Sequence, residues 1–467
     1  MKIVLIEPPM PGNERYTKGF ESIQNVLPPL GIAYVASSLI KSEFDVTIID
    51  AFLENLPLED IFKKIDQIGP RIIGFRSIVA TFDKTCALAK SIKKRYPDLV
   101  ILLGGPHASM VKGSILDDHH EFDIIVLGEG EVTVCELASS IENNMPLSGV
   151  RGIAFRENRK VVTTISREPI KDLDTISYPA WDKVPLHLYA PSPHAYKKLP
   201  IVTIIASRGC PFPCTFCSKD VFGRSHRRRS PKNVIKEMVH HMERFGIKEF
   251  CFYDDVFTIN TKWVKEFCEV LIKEKLDCIW SCDTRVDLVT PEILKLMKKA
   301  GCWNIFYGLE SGSQKLLDKV VKSFTLSDVR NAVKWTHDSG IEIRASFMLA
   351  LPGESPELAQ ETIDFAIELN CKYTKFNIAS PFPGTEMYLQ ALEDGTIVSN
   401  LNQFTTQHPV FIPSGYKDQE EILEIKKRAY HQFYLRPSYF LKRLTEIRSF
   451  EDIKRYLKGL NSILSVR

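Results

Sequence analysis

The sequence predicts an α/β protein built of two successive βα arrays and a helical C-terminal region, and three observations predict it. Short apolar runs alternate with amphipathic helical stretches over residues 1–150 and again over 200–413. Most of the runs are continuously apolar rather than alternating, the pattern of parallel strands buried on both faces. Between the arrays, residues 151–199 are too rich in proline for long helices or central strands. A chain of 467 residues has room for such an arrangement, since domains average about 150 residues.

In the first array, residues 3–6, 46–49, 72–75, 99–103 and 124–127 read as strands of one doubly wound, Rossmann-like layer. Sheets of that kind bind ligands outside the carboxyl ends of their strands. Those ends are Glu7-Pro8-Pro9, Asp50-Ala51, Ser77-Ile78, Gly104-Gly105-Pro106-His107-Ala108-Ser109 and Gly128-Glu129-Gly130-Glu131. Their small residues and prolines suit close approach of backbone to a ligand. Residues 149–155 and 160–164 suggest a small hairpin inside the linker. The second array has candidate strands at 202–206, 249–253, 278–282, 304–309, 342–349 and 375–378. Six βα units imply an open partial (β/α)6 barrel with its chemistry at the strand C-terminal ends. Residues 414–467 turn helical and charged, with helices expected over 418–429 and 449–464 that cover the barrel or rim a substrate entrance.

Composition is that of a globular chain, with 44% apolar and 25% charged residues. Lys plus Arg (61) nearly cancels Asp plus Glu (58), and a net charge of +3 gives no global case for nucleic acid or an anionic membrane. No apolar run approaches the roughly 20 residues needed to span a bilayer, and no signal-peptide core follows Met1, so a cytoplasmic chain without a transmembrane segment is expected. The eleven cysteines are then reduced thiols. Eight are scattered through apolar segments, where a lone Cys is small core filler. Cys210, Cys214 and Cys217 form the one dense group, on a loop directly after a strand. Thiolates spaced C-x3-C-x2-C can bind three corners of a [4Fe-4S] cluster and leave the fourth iron open. The alternatives are a zinc site, which would need a fourth ligand such as Cys251 or His226, or an incidental group of thiols.

Arg208-Gly209-Cys210 through Cys217 resembles the signature of the radical S-adenosylmethionine superfamily, and other segments similar to that family follow in order: Tyr253-Asp254-Asp255, Gly308-Leu309-Glu310-Ser311-Gly312-Ser313 and Leu351-Pro352-Gly353-Glu354. The first array is similar to the cobalamin-binding domains fused ahead of that barrel, through Leu27-Pro28-Pro29-Leu30-Gly31, Gly104-Gly105-Pro106 and Gly128-Glu129-Gly130-Glu131. With Phe433-Tyr434-Leu435-Arg436-Pro437, the resemblance spans essentially the whole chain. It implies residues 1–150 as a Rossmann-like cobalamin-binding domain, 151–199 as a linker, 200–413 as a partial radical SAM barrel and 414–467 as a helical region.

The implied cofactors are a [4Fe-4S] cluster held by Cys210, Cys214 and Cys217, S-adenosyl-L-methionine chelated to its open iron, and cobalamin. Phe216 would pack on adenine, Asp254 or Asp255 would accept from the cosubstrate, and an N-cap is the alternative role for Asp255. Glu310 and Ser311, beside backbone N–H groups, would hold a ribose or amino-acid moiety, and Gly353 would allow close backbone approach. Pro28, Leu30, Gly31, Ser77, Gly104, Gly105, Pro106, Gly128, Glu129, Gly130 and Glu131 would form the cobalamin site. Proteins that replace the lower cobalt ligand carry D-x-H-x-x-G after the first strand, but the first histidine here is His107. A histidine lower ligand is therefore not expected.

The basic run Arg224-Ser225-His226-Arg227-Arg228-Arg229 suggests a role near the cluster or an anionic substrate group, with a solvated turn or a nucleic-acid patch as alternatives. Arg285 is a candidate for a carboxylate of cosubstrate or substrate, with pairing to Asp283 or Asp287 as the alternative. The implied function is radical modification of an unactivated carbon, foremost C-methylation of a hydrophobic or polycyclic natural product. Oxidative ring formation, as in the anaerobic cyclase of chlorophyll biosynthesis, is the family alternative. A non-catalytic iron-sulfur or zinc protein is the alternative of another class. Implied partners are a small-molecule or lipid-like substrate and an electron donor such as flavodoxin or ferredoxin, with no nucleic acid.

Overall fold

The computed structural model describes residues 1–9, 27–189, 191–192, 195–398 and 406–444. Seven strands form the N-terminal sheet: β1 (Lys2–Glu7), β2 (Asp45–Asp50), β3 (Ile72–Arg76), β4 (Val100–Gly104), β5 (Ile124–Val126), β6 (Ile153–Glu157) and β7 (Lys160–Thr163). Their order is β2-β1-β3-β4-β5-β6-β7. The first five are parallel, and their apolar side chains are buried on both faces because helices cover both. The expected hairpin exists, but it is no free linker element. β6 pairs antiparallel with β5 and extends the sheet, because Ile153, Ala154 and Phe155 have apolar surface to bury. The strand order reverses between β1 and β3, the switch point at which such sheets open a crevice. There Arg76 Nη1 donates to Glu7 Oε1 at 2.7 Å.

The second sheet has six parallel strands, β8 (Ile201–Ile204), β11 (Glu249–Phe252), β12 (Ile279–Thr284), β13 (Cys302–Glu310), β14 (Glu342–Leu349) and β15 (Tyr373–Ile378). Between β8 and β11 a two-residue antiparallel ladder joins β9 (Ser207–Arg208) to β10 (Arg227–Arg228). Helices start where the sequence supplies caps. Ser230 Oγ accepts from Asn233 N ahead of helix Pro231–Phe245, with proline at its first position. Thr325 and Asp328 form a capping box for helix Leu326–Asp338. The cap of helix Thr261–Glu274 is Asn260, so Asp255 is not an N-cap.

The open barrel has edges to protect. Helix Gln419–Tyr434 lies against β15, where Tyr434 Oη accepts from Thr374 N and donates to Thr374 O, both at 2.8 Å. That side chain takes the hydrogen bonds of a missing strand. It realises the covering helix expected over 418–429, whereas the helix expected over 449–464 lies outside the described residues. At the N-terminal mouth, buried Glu249 accepts from Lys197 N at 2.8 Å and Trp303 Nε1 at 3.1 Å, tying the incoming segment across the floor. The C-terminal mouth is the end left for chemistry. Among the described residues, no helix is long and apolar enough to cross a membrane.

Candidate active site at the facing strand ends

The β9–β10 ladder closes a long loop that carries all three clustered cysteines. Each stretch of that loop is pinned. Gly209 N donates to Asp255 Oδ2 at 3.1 Å, Thr215 N to Val320 O at 3.2 Å, and Met387 N to Thr215 O at 2.9 Å. Asp254, buried at the end of β11, accepts from Ala206 N at 3.1 Å and from Ser207 Oγ. Burial pushes its carboxyl up to about 7. Cys210 is buried, Cys214 half-buried and Cys217 exposed, and none is in a disulfide. Two cations face these thiols: Lys219 Nζ lies 3.4 Å from Cys217 Sγ and Arg285 Nη1 lies 3.9 Å from Cys214 Sγ. Graded access and flanking positive charge suit an anionic iron-sulfur cluster with an open corner better than a closed zinc site.

The N-terminal sheet turns its strand ends toward this loop. Gly128, at the end of β5, approaches the Val221 carbonyl of the cluster loop, which would lie 3.8 Å from a Cβ added there. Met110, from the helix after β4, sits 3.7 Å from the corresponding point on Gly384 in the loop after β15. One apolar cluster runs through both arrays, while a separate one fills the other face of the N-terminal sheet. The linker ties them from outside: Ala180 N donates to Ala33 O at 3.1 Å, Tyr189 Oη to Asp50 Oδ2 at 2.7 Å, and Ser230 N to Asp174 Oδ1 at 2.8 Å.

Residues 204–366 match the radical SAM superfamily and residues 17–138 the B12 binding domain. An uncharacterized methyltransferase of Pyrococcus horikoshii is 34% identical over 463 residues, covering 98% of both chains. The chain belongs to the cobalamin-dependent radical S-adenosylmethionine enzymes. The anaerobic magnesium-protoporphyrin IX monomethyl ester cyclase of Rubrivivax gelatinosus is 30% identical, over 98% of this chain and 81% of its own length. Among solved structures, the cobalamin-dependent S-adenosylmethionine radical enzyme OxsB, with aqua-cobalamin and S-adenosylmethionine bound, shares the fold at a TM-score of 0.77 and 17% identity, over 99% of this chain and 72% of that one. The cofactors of this enzyme are a [4Fe-4S] cluster, S-adenosylmethionine and cobalamin.

In the radical SAM enzyme, several residues expected to touch cofactors are engaged by the protein instead. Glu129 and Glu131 turn their carboxylates to Arg208, at 2.9 Å and 2.5 Å, and Glu129 also accepts from Arg227 at 2.9 Å. The edge that remains is poor in side chains, as close approach of a flat ligand requires: Gly31 is exposed with nothing within 4 Å of an added Cβ, and Pro106 is exposed. Pro28 and Leu30 are buried. Ser77 is buried and bonded through its backbone to Gly104 and His107, and Gly130 packs on Val35. Gly105 follows Gly104 with φ +99, and a Cβ added there would lie 2.9 Å from the Ser77 carbonyl oxygen. His107 points into the core, its ring 4.2 Å from that of Phe82, and burial lowers it to about 4. It is a neutral core residue packed on Phe82.

On the barrel side, Glu310 pairs with Lys322 Nζ at 2.7 Å, and that ammonium lies 5.4 Å from the Phe216 ring centroid. The backbone N–H groups expected to serve a ligand beside it are used internally. Ser311 N donates to Leu309 O, Gly312 N to Thr362 Oγ1 and Ser313 N to Ser311 Oγ. Phe216 is half-buried against Leu316, Val320, Leu351 and Met387. Gly353 N donates to Asp394 at 2.6 Å, and Lys319 Nζ would lie 2.6 Å from a Cβ added to Gly353. Arg285 pairs with Asp287 at 2.9 Å and stacks 3.7 Å over Phe212. The basic run is split: Arg227 meets Glu129 and Arg229 meets Glu237, whereas Arg224 and Arg228 are exposed. Sequence reasoning missed Lys322, a lone lysine with no motif around it, and Tyr34, whose ring lies 5.3 Å from the Arg208 guanidinium.

Proposed function

We propose that this enzyme methylates an unactivated carbon of a hydrophobic or polycyclic small molecule. The observation that carries this reading is that the cluster loop and the strand-end loops of the B12-binding half meet face to face, Gly128 against Val221 and Met110 against Gly384. A radical-generating centre and a methyl carrier must converge on one substrate carbon, and positioning of that kind is worth several orders of magnitude in rate. When bound, the cluster and S-adenosylmethionine supply hydrogen abstraction and cobalamin supplies the methyl group. Cys210, Cys214 and Cys217 are proposed as the cluster ligands, with Lys219 and Arg285 stabilising their thiolates. Phe216 is proposed to pack on adenine, and the Glu310–Lys322 pair to present one carboxylate oxygen to the cosubstrate. An electron donor of the flavodoxin or ferredoxin type would supply the reducing electron.

Similarity to a methyltransferase over 98% of both chains supports methylation, and the porphyrin named for the cyclase relative supports a polycyclic substrate. The cyclase relative equally favours a second reading, oxidative ring formation. Comparison of metabolites from a deletion strain and wild type identifies the substrate. Turnover with that substrate should yield 5′-deoxyadenosine and S-adenosylhomocysteine in equal amounts with product, and label from the S-adenosylmethionine methyl group should enter it. Product with 5′-deoxyadenosine but no label refutes methylation and leaves the cyclase reading.

A further inference from the structure

The segments with the strongest family resemblance in the two halves bind each other. Arg208 stands two residues before the first cluster cysteine, and its side chain is 3% exposed. Its Nη1 meets Glu129 Oε1 at 2.9 Å and its Nη2 meets Glu131 Oε1 at 2.5 Å, the two carboxylates standing at the N-cap and in the first turn of the helix Gly130–Glu142 that follows β5. Arg227, opposite Arg208 in the β9–β10 ladder, donates to Glu129 Oε2 at 2.9 Å and to Ile170 O at 2.6 Å. Glu129 Oε2 also accepts from Ile170 N at 2.6 Å, so a linker backbone joins the group. The Tyr34 and Phe222 rings lie 5.3 Å and 5.1 Å from the Arg208 guanidinium. Two cations and two carboxylates balance, and every participant is buried or half-buried.

A buried ion-pair group of this kind adds little net stability over apolar packing, but a planar guanidinium shared between carboxylates fixes direction as well as distance. Its place matters more than its energy. Glu129 follows Gly128, which faces the cysteine loop at Val221, and Arg208 together with Arg227 links the segment after β5 to that loop.

We propose that Arg208, with Glu129 and Glu131, is the positioning device that sets the spacing and orientation of the cluster relative to cobalamin. It acts through the two loops and does not touch the reacting atoms. The inference is independent of whether the reaction is methylation or ring formation.

The test uses full-length holoenzyme without substrate. In the dithionite-reduced protein, pulsed electron paramagnetic resonance reads the dipolar coupling between the cluster and cob(II)alamin, and iron and cobalt per chain are counted alongside. Arg208→Lys keeps the charge but loses the fork, and Glu131→Gln keeps the shape but loses the charge. Both are expected to shift and broaden the coupling, whereas Glu136→Gln, at an exposed pair with Arg167, should leave it at the wild-type value. Loss of cobalt from Arg208→Lys, or of cluster iron from Glu131→Gln, would also support the inference, because each lost cofactor belongs to the other half. Unchanged coupling in both variants overturns it. So does loss from each variant of only its own half's cofactor, which would make the group local support.

Discussion

Replacing Gly209 with alanine should disable the cluster loop, and the neighbouring Gly223 provides the control. Gly209 has φ +88, a backbone conformation that costs an L residue about 1–2 kcal/mol. A Cβ there would overlap the Ser225 carbonyl oxygen and lie 3.1 Å from its carbon and 3.2 Å from Gly223 O. These neighbours are backbone, so no side-chain rotation relieves the overlap. Movement is also blocked, because Asp255 holds Gly209 N and the β9–β10 ladder holds Ser207 and Arg208. Overpacking of this sort adds about 1–3 kcal/mol, so the variant should lose about 2–5 kcal/mol in total, concentrated beside Cys210. Gly223 has φ +72 but nothing within 4 Å of an added Cβ, so Gly223→Ala should incur the conformational cost alone. The assay is iron and sulfide per chain after anaerobic reconstitution, with thermal unfolding of the apoprotein. Gly209→Ala should melt well below Gly223→Ala and retain less cluster. Equal melting temperatures and a full cluster in both would refute the steric argument.

Three further outcomes follow from buried groups. Glu237 is fully buried between Arg229 and His241, so Glu237→Ala strands the Arg229 charge and should cost about 3–5 kcal/mol, read from denaturant midpoints. Glu354 accepts from Ala350 N and Tyr416 Oη, and burial raises it to about 7 from a value of 4.5, so the native state holds its proton more tightly than the unfolded chain. Its contribution is therefore complete below pH 4.5 and is lost as pH rises through 7, by up to ~3 kcal/mol; Glu354→Gln should flatten that part of the stability profile. Tyr434→Phe removes both hydrogen bonds to Thr374 at the β15 edge and should cost about 1–3 kcal/mol, with faster amide exchange at Thr374 as the local readout.

The sequence alone determined where the strands lie. Continuous apolar runs bounded by Gly, Pro and Asp mark parallel strands whatever packs on them, and β14 was read to the residue. Spacing likewise singled out Cys210, Cys214 and Cys217 as the proposed cluster ligands, because thiols carried on one loop are local in sequence. Tertiary structure alone decided the partners of the charged residues. Arg208 and Glu129 are 79 residues apart, and Arg227 and Glu129 are 98 apart. Nothing in local pattern tells a carboxylate that binds a cofactor from one that neutralises a buried arginine, since both sit in glycine-rich strand ends. Glu129 and Glu131 resembled ligand contacts for that reason, and Lys322 was missed because its role exists only where the segment after β13 brings it 2.7 Å from Glu310. Short-range periodicity records burial, but a buried charge is matched by whatever opposite charge the completed fold brings beside it.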